Sequence, residues 1–274
     1  MKDKPATSLI IAVYNWPEAL ELCLASVLRQ TELPGEVIIA DDGSGPAVAR
    51  IIERYRPQLS VPLKHIWQPD EGFKLSQIRN KAVAASSGEY IIQIDGDLIL
   101  HPSFVRDHMA VIRKDYFVGG SRVFMDQSLS SKLLSGRHAR VSLFESGIRN
   151  RLNGLHAPWL NRLLHSFVPS KGKTNIRGCN MAYWRSDFIQ VNGYNEDFQG
   201  WGREDTDLVL RLYSLGLNRM FFKFRGIVFH LYHKEADRSR LQTNDQLLLQ
   251  ARELGHYCSN GIDKYLQPLP VGSS

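Results

Sequence analysis

Two aspartates one glycine apart, Asp95 and Asp97, close the apolar run Tyr90-Ile91-Ile92-Gln93-Ile94. Such a run is the pattern of a strand buried on both faces of a parallel sheet. Carboxylates at its end are costly to leave without a cation. Open α/β sheets bind ligands beyond the carboxyl ends of their strands, where a hard divalent cation and a phosphate would meet. Asp-Gly is equally a common turn dipeptide, so the pair alone leaves both readings open. Three more polar clusters stand in the same relation to apolar runs. Tyr14-Asn15 follows Leu9 to Val13, Asp41-Asp42 follows Val37 to Ala40, and His230 and His233 follow Val228-Phe229. Convergence of these clusters on one sheet edge is what favours the cation.

The elements that would bring them together alternate in type. Ser8 to Val13, Glu36 to Ala40, Val61 to Trp67 and Tyr90 to Ile94 read as strands. Helices between them are expected from Pro17 to about Gln30, through Tyr55, and over about Ser76 to Ala85. Alternation of this kind argues for βαβ units and a mostly parallel arrangement, in a single Rossmann-like mixed sheet flanked by helices. A helix opened by Pro102 and a strand from Tyr116 to Val123 follow. Glu204 to Leu215 is a helix stopped by Gly216, Met220 to Phe229 a strand, and Asn244 to Leu254 a last helix. Residues 267–274 read as a disordered tail.

Residues 125–175 break the rhythm. They hold eight basic residues (Lys132, Arg137, Arg140, Arg149, Arg151, Arg162, Lys171, Lys173) against Asp126 and Glu145. Leu133, Phe144, Ile148, Leu152, Trp159, Leu163 and Phe167 are interleaved with them. A basic amphipathic segment suits an anionic membrane surface. A solvated insertion packed on the core is the other reading.

Composition narrows the class. The chain of 274 residues is 43% hydrophobic and carries a formal charge of +6, as a soluble α/β protein with anionic ligands would. No apolar run approaches the ~18 residues of a membrane span, and MKDKPATS lacks the apolar core of a signal peptide. Cys23, Cys179 and Cys258 are too few and too scattered for a disulfide framework or a zinc cluster. A cytoplasmic protein is expected, with peripheral contact at the inner membrane face through 125–175.

Six segments taken in order, SLIIAVYN, VIIADDGSG, GFKLSQIRNKAVAASSGEYIIQIDGD, GCNMAYWRSDF, NGYNEDFQGWGREDTDLVLRL and HLYH, resemble the motifs of inverting family 2 glycosyltransferases with a GT-A fold. The later ones resemble the C-terminal segment of galactosyltransferases and chondroitin-polymerase-type enzymes. The resemblance runs from about Thr7 to His233. It implies a catalytic domain over 1–240, with a nucleotide-binding half (1–124), the basic insertion (125–175) and an acceptor and metal half (176–240). Residues 241–274 are then a C-terminal helix and tail.

The resemblance also implies roles. Val13, Tyr14, Asn15 and Asp42 hold uracil and ribose, Arg79 and Lys74 lie near the diphosphate, and Asp95 touches ribose or a metal-bound water. Asp97 ligates Mn²⁺ or Mg²⁺ with His230 or His233 completing the shell, the place right after the strand favouring His230; imidazole suits manganese better. Asp205 is the general base, Glu204 binds sugar hydroxyls, Trp201 stacks on a sugar ring, and the helix from Phe188 and the loop at Gly200 close over the donor. Arg203 departs from the glycine usual there, which leaves a guanidinium for an anionic group and keeps the sugar open. The implied function is transfer of a hexose or N-acetylhexosamine from a UDP-sugar to a glycan or lipid-linked acceptor, as in lipopolysaccharide or surface polysaccharide synthesis.

Other classes fit less well. A dinucleotide oxidoreductase needs a G-x-G-x-x-G turn after the first strand, where this chain has Tyr14-Asn15-Trp16-Pro17. A nucleotidyltransferase making NDP-sugars needs a glycine-rich basic loop there. A nucleic-acid-binding module would use the basic insertion, and nucleic acid is not an expected partner.

Overall fold

A computed structural model describes residues 4–165, 172, 174, 176–234, 237–251 and 255–266. Phe167, Lys171, Lys173 and the tail 267–274 lie outside them. In chain order the elements begin with β1 (Thr7–Val13), α1 (Pro17–Val27), β2 (Glu36–Asp41), α2 (Pro46–Tyr55), β3 (Leu63–Trp67), α3 (Leu75–Ala84) and β4 (Tyr90–Asp95). Then come β5 (Leu98–Leu100), α4 (Phe104–Met109), β6 (Tyr116–Gly119), β7 (Val123–Met125), α5 (Gln127–Gly136), β8 (Ile148–Arg149) and α6 (Pro158–Leu164). The remainder is β9 (Asn180–Trp184), α7 (Arg185–Gln190), α8 (Glu204–Ser214), β10 (Asn218–Met220), β11 (Val228–His230) and α9 (Leu241–Ala251).

The strands form two sheets where a single one was expected. The central sheet has seven strands in the order β10-β6-β9-β4-β1-β2-β3. β1 pairs in parallel with β2 and β4, while β9 runs antiparallel to β4 and β6. The β1, β2 and β4 runs are apolar on both faces because helices cover both sides; Leu9, Ile10, Ile11, Ile38, Ile39, Ile91, Ile92 and Ile94 are fully buried. Registers place Val13 opposite Asp41 and Ala12 opposite Asp95, so the acids leave the sheet at one level. Gly96 lets the chain turn there: its N–H donates to Ala12 O at 2.7 Å, and a Cβ would sit 3.0 Å from that oxygen.

The second sheet, β5-β11-β7-β8, was not foreseen. It divides two segments that read as single strands. Tyr116 to Val123 splits into β6 and β7 at Gly120, where any Cβ would collide with the Asn180 side chain at 2.3 Å. Met220 to Phe229 splits into β10 and β11, because Phe224 (φ 68°) and Gly226 (φ 52°) take left-handed backbone that no strand continues through. Residues 125–165 therefore pack on the core, with strand as well as helix. β7 and β8 complete this sheet, and Met125, Leu129, Leu133 and Ile148 pack with Ile99, Val123, Phe229 and Leu231 in one buried cluster.

The residues after α9 pack as well. Ile262 is fully buried among Ile78, Phe188 and Tyr194, and its N–H donates to Asn192 O at 2.9 Å. Phe188 itself is buried and stacked on Tyr183, which makes α7 a core element and not a lid. Asp207, in the first turn of α8, is 1% exposed and bound to Arg211, whose Nε and Nη2 donate to Oδ2 at 2.9 and 2.6 Å. Arg211 Nη1 reaches Val191 O and Gly193 O at 2.6 and 2.8 Å, pinning α8 to the turn before it. Arg211→Met would leave a buried carboxylate unpaired. Urea unfolding should show a loss of about 3–5 kcal/mol; a loss under about 1 kcal/mol would rule this role out.

Candidate active site

The strand ends open into a cleft of about 1430 Å³ that takes one wall from the central sheet and another from the second sheet. That is more than the ~300–1,000 Å³ of ordinary small-ligand pockets, and leaves room for two substrates. Val13, Tyr14, Asp42, Arg79, Asp95, Asp97, Trp201, Glu204, Asp205, His230 and His233 all line it. Asn15 and Lys74 do not.

Asn15 holds a turn. In left-handed backbone (φ 45°), its N–H donates to Ser44 Oγ and its Oδ1 accepts from Gly45 N–H, both at 2.9 Å, tying the β1–α1 and β2–α2 loops together. The Lys74 ammonium is drawn to Glu71, and its backbone N–H donates to Asp42 Oδ2 at 2.9 Å. Asp41 also turns out structural: it accepts from Ser44 N–H at 2.8 Å and meets His65 Nε2 at 2.9 Å. Asp42 is different. Burial pushes its carboxyl up to about 6, against the Gln68 amide and Lys74 N–H that favour the anion. Tyr14 stands half exposed above it, its hydroxyl donating to Asp70 at 2.9 Å.

β4 and β11 meet at a candidate metal centre. Asp97 Oδ2 lies 3.4 Å from His230 Nε2 and 3.3 Å from His233 Nε2. Asp97 Oδ1 is buried with no hydrogen-bond partner, an arrangement that costs free energy unless a cation completes it. The ligand atoms of all three lie within 4.8 Å of one another. Burial lowers His230 to about 4, so its imidazole is neutral and able to ligate at neutral pH. The His233 ring is held above its ordinary range by Asp97. Two imidazoles and a carboxylate suit a borderline divalent ion such as Mn²⁺ better than Mg²⁺. The question of which histidine accompanies Asp97 resolves to both being in reach.

On the opposite wall, Arg79 lines the cleft but turns its terminal nitrogens onto carboxylates. It is 1% exposed, with Nη2 on Asp95 Oδ1 at 2.8 Å and Nη1 on Asp205 Oδ1 at 3.1 Å. Asp205 Oδ1 also accepts from the Tyr194 hydroxyl at 3.2 Å, and Oδ2 from Gly178 N–H at 2.6 Å. Burial pushes Asp95 up to about 6, with Arg79 opposing. Glu204 is buried, and its Oε2 has no partner; burial first, then Asp205, raises it to about 8. Arg203 pairs with Asp245, so its guanidinium is already engaged within the chain. Arg122 and Arg177 line the cleft beside the metal centre, and Tyr194 and Gly178 hold Asp205. Sequence alone singled out none of these four in such a role; the only signal was their place inside the GCN and NGYN segments or next to a strand.

The chain matches the Glycosyl transferase family 2 model over residues 8–191 and the model described as the N-terminal domain of galactosyltransferase over 161–234. It is 27% identical over 257 residues to chondroitin synthase of Escherichia coli, covering 86% of this chain and 36% of the synthase. It is 28% identical over 255 residues to hyaluronan synthase of Pasteurella multocida, covering 86% of this chain and 25% of that protein. The chain thus spans about a quarter to a third of these relatives' length. In fold it resembles mannosyltransferase PcManGT from Pyrobaculum calidifontis, a structure in complex with GDP-Man and Mn²⁺. The TM-score is 0.61 at 15% identity, over 91% of this chain and 64% of that one.

The Glu204 environment predicts a pH signature. Its folded pKa, about 8, lies above the ordinary 4.5, so the unfolded chain ionises first as pH rises. Wild-type stability therefore falls between those two values. Glu204→Gln should melt with the wild type near pH 4 and several degrees above it near pH 8. A difference in Tm that stays constant across that window would refute the buried, protonated Glu204.

Proposed function

The chain belongs to glycosyl transferase family 2, and from that premise we propose that it transfers a hexose or N-acetylhexosamine from a UDP-sugar to a hydroxyl of a glycan or lipid-linked acceptor, with inversion and with Mn²⁺ bound. The observation that carries the reading is Asp97, with Oδ2 close to two imidazoles and Oδ1 buried and unpartnered, in one cleft with Glu204 and Asp205. The polysaccharide synthases among its relatives support a glycan product.

Asp97, His230 and His233 would hold the ion. When bound it supplies Lewis-acid neutralisation of the diphosphate leaving group. Asp42 accepts from the uracil N3–H or a ribose hydroxyl, which selects the nucleotide. Asp205 takes the proton from the acceptor hydroxyl as that oxygen attacks the anomeric carbon from the face opposite UDP. Glu204 binds a sugar hydroxyl, and Trp201 offers its ring to a sugar face. An in-line displacement needs no covalent intermediate, and the buried Cys23 and Cys179 thiols, raised far above their ordinary range by burial, are not nucleophiles. Titration of a UDP-sugar panel with Mn²⁺, Mg²⁺ or EDTA should show metal-dependent binding of one donor. Asp97→Ala should lose it, whereas Asp205→Asn should bind the donor normally and turn over at least about a hundredfold more slowly. Equal binding in EDTA would overturn the metal reading.

Helix α6 supports a membrane-side acceptor. Its Asn161 faces inward, bonded to Phe221 O, Lys223 O and Arg225 Nε at 2.9–3.0 Å. Trp159 and Leu163, one turn apart on the opposite side, are 70% and 60% exposed. The helix is thus amphipathic in the reverse sense, with Arg162 exposed beside the apolar pair. Among the described residues no helix is long and apolar enough to cross a membrane, so the contact would lie in the interface. The full chain should sediment with phosphatidylglycerol vesicles and not with phosphatidylcholine vesicles, and a Trp159→Ala/Leu163→Ala variant should stay in the supernatant. Equal sedimentation of both proteins would remove α6 from the account.

A further inference from the structure

The buried Arg79 does not fit the diphosphate role that its place in the Arg-Asn pair implied. Both terminal nitrogens are bonded to carboxylates in a side chain only 1% exposed, and the Nε–H is buried without a partner. What those bonds accomplish is geometric. Arg79 stands on α3, Asp95 ends β4, and Asp205 opens α8, so one guanidinium ties the end of the central strand to the start of the helix that faces the acceptor.

The lone pairs of Asp205 can be assigned. A carboxylate oxygen offers about two acceptor sites. Oδ1 receives Arg79 Nη1 and the Tyr194 hydroxyl, which fills it. Oδ2 receives only Gly178 N–H, which leaves one site on that oxygen. The support behind these donors is equally specified. Gln93 Nε2 donates to the Tyr194 hydroxyl at 2.8 Å and to Gly178 O at 2.9 Å, and Tyr183 donates to Gln93 Oε1 at 2.9 Å. The Arg79 guanidinium also lies 5.3 Å from the Tyr194 ring centroid. Gly178 admits the approach: a Cβ there would lie 2.2 Å from Asp205 Oδ1 and 2.7 Å from Arg79 Nη1.

We propose that Arg79, with Tyr194 and the Gly178 N–H, is a positioning residue for proton transfer, locking Asp205 so that its one open lone pair, on Oδ2, receives the acceptor proton. This rests on the reading of Asp205 as general base. In the transfer the acceptor O–H bond breaks as its oxygen bonds to the anomeric carbon. The proton goes to Asp205 Oδ2, and the bond to UDP breaks with its electron pair leaving on the diphosphate. Arg79 stays protonated throughout and touches neither substrate. Its planar fork is what the task requires, because a lysine ammonium keeps the charge without the two-armed span between Asp95 and Asp205.

The test separates binding from turnover in the full-length chain. Mn²⁺-dependent UDP affinity would be measured by calorimetry, and UDP release from the donor found in the panel would be followed with water as acceptor. Arg79→Gln and Arg79→Lys should bind UDP within about twofold of wild type and lose about a hundredfold in kcat, the cost of a misplaced reacting group. Tyr194→Phe, which removes one donor to Oδ1, should lose about threefold to tenfold in kcat with UDP affinity intact. A tenfold weaker UDP affinity with kcat retained at saturating donor would make Arg79 a phosphate ligand and overturn the proposal. Full rescue by Arg79→Lys would also overturn it, since charge alone would then suffice. If Arg79→Gln fails to fold, the Tyr194→Phe result decides by the same split. Asp205→Asn distinguishes the two levels. If it turns over at the wild-type rate, the base assignment fails and the positioning role with it. If it is slow while the Arg79 variants are not, only the positioning role fails.

Discussion

Negative charge concentrated at one edge of a buried sheet is the constraint around which this molecule is built. Asp42, Asp95, Asp97, Glu204 and Asp205 line one cleft, and unpaired buried carboxylates are too costly to retain. Three solutions appear side by side. Asp95 and Asp205 share an internal cation, Arg79. Glu204 is shifted up to about 8 by burial, so that the proton does the neutralising there, while Asp42, raised to about 6, is held by the Gln68 amide and the Lys74 N–H. Asp97 has neither; the His233 hydrogen bond and the nearby His230 and Arg122 outweigh burial and hold it ionised, with one oxygen left bare. A site that resolves its internal charges and leaves one anion for an outside cation is suited to metal-assisted binding of a diphosphate.

The second sheet explains how histidines distant in sequence reach that anion. β11 ends at His230 and pairs with β5, which begins at Leu98, one residue beyond Asp97. The register sets His230 opposite Leu98, and Leu231 N–H donates to Asp97 O at 3.0 Å. The Asp-Gly-Asp turn is thus the hinge between two sheets, and the placing of the candidate metal ligands follows from strand pairing. β7 lies on the other side of β11, and Phe124 packs edge-on against His230 at 5.8 Å. Residues after 122 therefore act on the metal centre through packing, whatever their basic residues bind.

How far the sequence reveals this depends on the range of each signal. The runs ending at Val13, Asp41 and Asp95 were legible because doubly buried strands are continuously apolar, and the acids at their ends fell where expected. His230 and His233 were legible as a pair next to a strand. The division of 116–123 and 220–229 was not, because it goes with close packing of Asn180 on Gly120 and with left-handed backbone at Phe224, neither of which alters hydrophobic pattern. Arg79 was found as a site residue but its direction was hidden: helical spacing places it on α3, while its partners come from 16 and 126 residues away. Lys74 and Asn15 lie outside the cleft lining for the opposite reason. Local partners, Glu71 and the Ser44-Gly45 loop, claimed them before any ligand.

Arg203 shows how a departure from a motif is accommodated by distant chain. Its backbone sits at φ 81°, a region where glycine is at ease and a side chain is strained. The strain is held by contacts from α9 and the residues before it. The Arg203 guanidinium pairs with Asp245, and Asn244 Nδ2 donates to Gln199 O and Gly202 O at 3.1 and 2.9 Å. Arg238 lies over the Trp201 ring at 4.7 Å from its centroid. The loop that offers Trp201 to the cleft is thus shaped from both ends: its own glycines supply the turns, and residues 238–245 fix them. It follows that α9 packs with the loop that carries Trp201, across the boundary near residue 240 suggested by sequence.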